Sequence, residues 1–298
     1  MSGATAASAR EQPRKLPSRS RAVRRRRAGS AVTYSFLAAI AVVYIFPFLI
    51  AVATSFKTEP NATADPLSLA PSPPTTAAFH QLYQDNDFLT WVKNSFIVTI
   101  SVTFLRVFLD SLAGYALARL RFVGRSVAFA SIVAVMAVPN VVLLIPKFLM
   151  IRQLGMYDTY SGMIVPLLVD AAGVFIMKNF FESIPVSVEE SARIDGASIF
   201  RTYWSIVLPM ARPALVTIFI LSFQGSWNEL AHFIISAQST SLATLTKGVA
   251  QLASGQLGVG NRFPLKLAAS CLMTIPVAIL FFIFQRRIMN VASGAVKE

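Results

Sequence analysis

The groups with which chains most often do chemistry are few here and far apart. The two histidines, His80 and His232, stand alone. Neither has a Glu or a second His at metal-ligand spacing, and no Ser or Cys has an evident base. No GxxxxGK loop is present to bind a nucleotide phosphate. The one cysteine, Cys271, sits in an apolar run, so no disulfide or metal framework forms within one chain. What remains is a set of ionisable residues inside apolar segments: Arg106, Asp110, Asp170, Lys178 and Glu229. Such residues mark candidate ion or proton relays. Arg106 and Asp110 are one helical turn apart and can neutralise each other; the other three fall towards segment ends, within reach of water.

The remaining candidate is a polar interruption, IPVSVEESARIDGASIFRTYWSIVLPMARPAL, from Ile184 to Leu215. Pro185 breaks any preceding helix. Ser187 with Glu190 three residues on reads as a capping box that starts a short helix. Asp195-Gly196 ends it, because glycine tolerates the left-handed backbone of a helix stop. A second amphipathic piece, Ile199 to Val207, runs into Leu208-Pro209 and Pro213. A short helix, a turn and a second short helix form a docking shape without a catalytic group.

Composition supplies the setting. The chain is 55% hydrophobic and 14% charged, with mean hydropathy +0.60, against roughly a quarter charged in a soluble domain. It therefore reads as an all-α, polytopic membrane protein. Six segments are long enough to cross roughly 30 Å of hydrocarbon. They are about Val32–Phe56, Trp91–Leu117, Ser126–Met150, Tyr160–Phe181, Pro213–Ile235 and Leu265–Phe284. Pro139 and Pro146 predict a break in the third. The stretch 58–90 reads as a loop with a short helix near Ala77–Tyr83. The stretch Ser236–Pro264 reads as a Gly, Ser, Thr and Gln-rich loop, with Gly255, Gly258 and Gly260 lending pliability. Residues 1–30 form a basic tail expected to be disordered, 31–288 the six-span domain with its loop at 184–212, and 289–298 a C-terminal tail.

The net charge of +13 is concentrated at the N-terminus, where nine Lys and Arg precede the first span. With no aromatic or folded reader beside them, they read as a topology signal near anionic lipid, with no nucleic-acid partner. The first apolar run is too long for a cleaved signal peptide. Placing the N-terminus in the cytoplasm puts eighteen Lys and Arg on that side and seven on the other. The positive-inside rule thus predicts both termini, and the Ile184 stretch, to be cytoplasmic.

Glu190-Ser191-Ala192, Asp195-Gly196-Ala197, Ile206, Leu208-Pro209 and Pro213 resemble the EAA motif of binding-protein-dependent ABC importer permeases. "FPFLIAVATSFK", "NSFIVTI", "GYALARLRFVGR", "SWNE" and "IPVAILFFIFQRRIMNVASGAVKE" resemble the carbohydrate, maltose-type subfamily, in particular its second permease. The likeness covers nearly everything after about residue 30. Ser191 stands for the family's Ala, Phe233 for its Pro, and Glu298 for its closing Gly.

The resemblance implies a type I importer permease fold, with cytoplasmic coupling helices between spans four and five. It implies half of a translocation path for a sugar or oligosaccharide in a bacterial cell membrane. The partners would be a homologous second permease, two cytoplasmic ATPase subunits, an extracytoplasmic solute-binding protein and the lipid bilayer. The chain would have no cofactor of its own, with ATP and Mg on the ATPase. Glu190, Ala192, Asp195, Gly196 and Ala197 would contact that ATPase, and Ser293–Glu298 would approach it. The Ser236–Pro264 loop would face the binding protein. Trp227, Asn228 and His232 would lie along the solute path, an aromatic beside amide and imidazole groups being suited to a sugar. Two alternatives stay open: a permease for another solute, such as a glycerol phosphodiester, and an ion-coupled secondary transporter using Arg106 and Asp110.

Overall fold

A computed structural model of the chain describes the backbone of residues 19–84, 87–255 and 262–294, and the side chains of 33–84, 87–255 and 262–285. Among the described residues every regular element is helical. α1 (Arg19–Ser55) contains Pro47, and its side chains from Thr33 to Leu49 are exposed, as suits a span facing lipid or another subunit. It begins at Arg19, inside the tail expected to be disordered. Residues 1–18 and 295–298, and Gly258 and Gly260, lie outside the described residues.

From Val52 the chain forms a second compact unit. α2 (Glu59–Ala64) and α3 (Ala77–Gln84) precede the long α4 (Phe88–Arg119). α5 (Arg125–Met136) turns through 103° into a 3-10 turn and α6 (Leu144–Gln153). Pro139 stands at that break, as its fixed φ and missing N–H demand, and Pro146 falls in the first turn of α6. α7 (Tyr160–Ile164) and its 3-10 extension bend by 41° into α8 (Ala171–Ser183). This second break was not predicted. Its cause is local: Asp170 has extended backbone and accepts a hydrogen bond from Gly173 N–H, capping a new helix.

α9 (Val186–Ile194), α10 (Ile199–Thr202), a π turn and α11 (Leu208–Met210) make the polar stretch, and α12 (Arg212–Trp227) leaves it at 80°. α13 (Ala231–Ser236), α14 (Leu245–Ser254) and α15 (Phe263–Gly294) complete the chain. α14 occupies what read as an open loop, burying Leu245 and Leu252, and Gly255 at φ +74 is its stop rather than a pliable link.

α4 is the spine of this unit, because each of its levels contributes to a different apolar cluster. Phe88 and Trp91 pack with Trp227, Leu245 and Leu265 at one end. Val98 and Val102 pack with Met163 and Phe233 in the middle. Tyr115 and Ala118 pack with Phe181, Tyr203 and Val207 at the other. Its closest neighbour is α8, admitted by two glycines: a Cβ on Gly114 would lie 2.6 Å from Met177 Cβ, and one on Gly173 would lie 2.1 Å from Asp110 Oδ2. Asn94 fixes the opposite end. Its Nδ2 donates to the Ser241 and Ala243 carbonyls at 2.8 and 2.9 Å, and its Oδ1 accepts from Tyr160 OH at 2.6 Å.

A clasp joins the two loops at that same end. Asp158, at φ +57, accepts from the backbone N–H groups of Gln238 and Ser239 and from the Ser239 hydroxyl. The Ser239 hydroxyl, then the two N–H groups, hold its carboxyl below the ordinary carboxylate pKa. Nearby, Lys247 is buried and donates to Ala237 O at 2.5 Å, and burial pushes its ammonium pKa down.

Two predictions arise from this packing. Gly173→Ala forces a methyl into the Asp110 carboxylate and should cost about 1–3 kcal/mol; an unchanged melting temperature of the purified variant would refute the close seam. Because the folded pKa of Asp158 is depressed, the clasp contributes stability above about pH 4, the unfolded value, and loses it as pH falls through the folded one. Asp158→Asn, which tolerates the left-handed backbone, should therefore flatten the acid-side fall in melting temperature. Superimposable pH profiles for the two proteins would rule out this role.

Candidate functional site: the Ile184–Leu215 loop and the adjoining cavity

The polar stretch is built as predicted at its stop and differently at its start. Gly196 at φ +79 ends α9, with Gly196 N–H donating to Arg193 O at 3.0 Å and Ala197 N–H to Ala192 O at 2.9 Å. That is the Schellman arrangement. The capping box does not form. The helix begins at Val186 with Pro185 in the capping position, which leaves Ser187 inside the first turn. Its carbonyl accepts from Ser191 Oγ at 2.9 Å. A cap needs an extended residue whose side chain can bend back to the backbone, and Pro185 holds that place without an acceptor side chain. Ser198 does cap α10, accepting from Arg201 N–H.

The charged residue that anchors the loop is Glu189, which sequence reasoning passed over in favour of its neighbour. Glu189 is buried, and its Oε1 lies 2.9 Å from Arg119 Nε at the end of α4. Tyr115 OH donates to its Oε2 at 3.2 Å, and Arg193 stands 3.9 Å away. Arg119 Nη2 also donates to the Phe181 carbonyl at 2.6 Å and to the Ile184 carbonyl. Beside it, Ser111 Oγ and Tyr203 OH are 2.7 Å apart, and the Tyr115 and Tyr203 rings lie 5.0 Å apart. Glu189 is three residues from Ala192 and so shares its inward face; that spacing was the available signal.

Glu190, Asp195 and Gly196 are exposed, and Ala197 is half-buried. Ala192 is buried within the chain, so its small side chain serves internal packing instead of lying on the outer surface. Several apolar side chains of the stretch are open: Ile194 is 86% exposed, Phe200 64% and Trp204 51%. The Phe200 and Trp204 rings stack.

Further along α4 lies a cavity of about 470 Å³, lined by Arg106, Lys147, Asp170, Ser222, Glu229 and His232 among others. Arg106 Nε donates to Leu167 O at 2.7 Å. Asp110 Oδ1 accepts from Asp170 N–H at 3.1 Å. The expected Arg106–Asp110 pair is not formed, because each side chain turns to the break between α7 and α8, where backbone groups are unsatisfied. His232 Nε2 lies 3.2 Å from Met163 O, and the backbone N–H of His232 donates to Glu229 Oε1 at 2.9 Å. Trp227 lies elsewhere: it is buried in an apolar cluster, with Nε1 donating to Met273 O at 3.1 Å. Asn228 is exposed and bonds to Gln224 O at 2.9 Å. Of the three residues predicted along a solute path, His232 alone lines the cavity. Among the described residues no three metal-binding side chains converge. With two cations, two carboxylates, hydroxyls and an imidazole, the cavity can exchange hydrogen bonds with a polar solute, and it contains no nucleophile–base pair.

The buried pair separates the two neighbouring glutamates. Glu189→Ala leaves Arg119 buried and unpaired and should cost about 3–5 kcal/mol, while exposed Glu190→Ala should change stability by less than about 0.5 kcal/mol. Equal losses in thermal unfolding of the two variants would show that the anchor is misassigned.

Comparison with known proteins agrees with this architecture. A family model for the binding-protein-dependent transport system inner membrane component matches residues 110–290. The sulfoquinovosyl glycerol transport system permease protein SmoH of Agrobacterium fabrum is 34% identical over 85% of this chain and 89% of its own. The arabinooligosaccharides transport system permease protein AraQ of Halalkalibacterium halodurans is 30% identical over 89% of this chain and 95% of its own. The crystal structure of a bacterial ABC transporter involved in the import of the acidic polysaccharide alginate superposes with a TM-score of 0.76. It is 25% identical, with 92% of this chain and 99% of that one covered. The chain is a permease subunit, not an enzyme, and belongs to the binding-protein-dependent transport system inner membrane components.

Proposed function

We propose that this subunit forms half of a membrane path for a sugar or oligosaccharide, working with a homologous second permease, an extracytoplasmic solute-binding protein and two cytoplasmic ATPase subunits that hold the ATP and Mg. The names of similar permeases, for a sulfoquinovosyl glycerol and for arabinooligosaccharides, support the solute class. The charge-balanced cavity favours a hydroxyl-rich solute over a phosphodiester, since Asp170 and Glu229 offset Arg106 and Lys147. His232 contacts the solute in this reading. Trp227 and Asn228 act indirectly, by holding the end of α12.

The loop 184–212 is the cytoplasmic coupling element, in keeping with the excess of Lys and Arg expected on that side. The observation that carries this reading is its two-faced construction. Glu189 and Ala192 are buried against the bundle, while Glu190, Ile194, Asp195 and Gly196 stand outward on a helix closed by a Schellman stop. A rigid outward face of that kind can seat in a partner's cleft and transmit its movement, where a floppy loop would absorb it. Glu190 and Asp195 supply charged contacts, and Gly196 with Ala197 permits close approach.

Gly196→Leu is the direct test. No atom lies within 4 Å of a Cβ there, so the change strains only the left-handed backbone and enlarges the outer face. The variant should insert into the membrane normally but fail to retain its ATPase subunits on purification. A complex that assembles and hydrolyses ATP like the wild type would contradict the assignment.

A further inference from the structure

Loop and cavity lie at different levels of the bundle, and one helix reaches both. α4 carries Arg106 at the cavity and Asp110 behind it, bonded to the backbone of cavity-lining Asp170, then Tyr115 and Arg119 at the loop. We propose that Arg119 is the positioning residue that passes displacement of α9 into α4, and through α4 into the cavity wall; this rests on the coupling reading above.

The contacts are directional at both ends. Arg119 holds the Glu189 carboxylate of α9 together with the Phe181 and Ile184 carbonyls at the end of α8. Tyr115, one turn earlier, holds the other oxygen of the same carboxylate. Sliding α9 along α4 would leave buried charges unpaired, a costly outcome, so the end of α8, α9 and the end of α4 move together. At the cavity, Arg106 holds Leu167 O and Asp110 holds Asp170 N–H, and both Leu167 and Asp170 line the cavity. A shift of α4 must therefore carry the α7–α8 break with it. The neighbouring apolar cluster of Tyr203, Val207 and Ile218 is non-directional, whereas the buried charge pair, with Arg119 bonded to two carbonyls and Glu189 to Tyr115, holds one geometry. Stability alone does not call for such a pair, because an apolar replacement of similar volume is often as stable.

That last point supplies the variant. Arg119→Met with Glu189→Leu removes the link without stranding a charge. The probe is Ser222→Cys in a Cys271→Ser background, in the complex assembled with its ATPase subunits and reconstituted in vesicles. Labelling by a membrane-impermeant maleimide is timed with and without a non-hydrolysable ATP analogue and Mg. With Arg119 and Glu189 intact, nucleotide should change the labelling rate several-fold. In the double variant the two rates should coincide, although the ATPase still co-purifies and hydrolyses ATP. Arg119→Lys, which keeps the charge but not the multiple grip, should fall between. A double variant with an intact nucleotide response would overturn the proposal. So would loss of assembly, since the pair would then merely hold the docking surface. If nucleotide has no effect even with the pair intact, the coupling reading itself is wrong and the proposal falls with it.

Discussion

A carboxylate and a guanidinium kept from water at the end of α4 set the geometry of everything around the loop. Glu189 and Arg119 would each be costly to bury alone. Together, with Tyr115, Phe181 and Ile184 completing the contacts, they fix where α9 begins and how it lies. Pro185 then stops α8 from running on, and Gly196 turns the chain before α10 can clash with it. The outward face that remains is small and rigid.

The same helix organises the opposite end by different means. Asn94 spends its donors and acceptor on the backbone of the Ser241–Ala243 turn and on Tyr160. Ser95 accepts from Leu245 N–H and so starts α14. Between the two ends, glycines at 114 and 173 let α4 and α8 meet at backbone distance. Close packing of that kind moves as a unit. The bundle thus has a polar anchor at each end of α4 and a tight seam between, a construction suited to carrying a movement along its length.

Much of this was legible in the sequence. Long apolar runs announced their spans, and Pro139 its break, because hydrocarbon leaves few options for backbone groups. Gly196 announced its stop for steric reasons. The misreadings share a cause. Ser187 looked like a cap because spacing was read without knowing that Pro185 would take the place. Arg106 and Asp110 looked like a pair because they share one helix, yet each found a better partner in unsatisfied backbone on another. Glu189 was overlooked because adjacent glutamates look alike in a string and differ only in which one faces Arg119, seventy residues away. Trp227 shows the same gap, since its indole could serve a solute path or a core and only the fold decides. Contacts distant in sequence, and the direction of a side chain around a helix, carry no local signature.

The central claim is that the outer face of α9 seats on the ATPase. Placing a photoreactive amino acid at Ile194, the most exposed apolar position of that helix, and irradiating the assembled complex tests it in one step. The account predicts a cross-link to the ATPase subunit. Capture of the solute-binding protein, or of lipid alone, would place the loop on the wrong side of the membrane or away from its partner, and would contradict it.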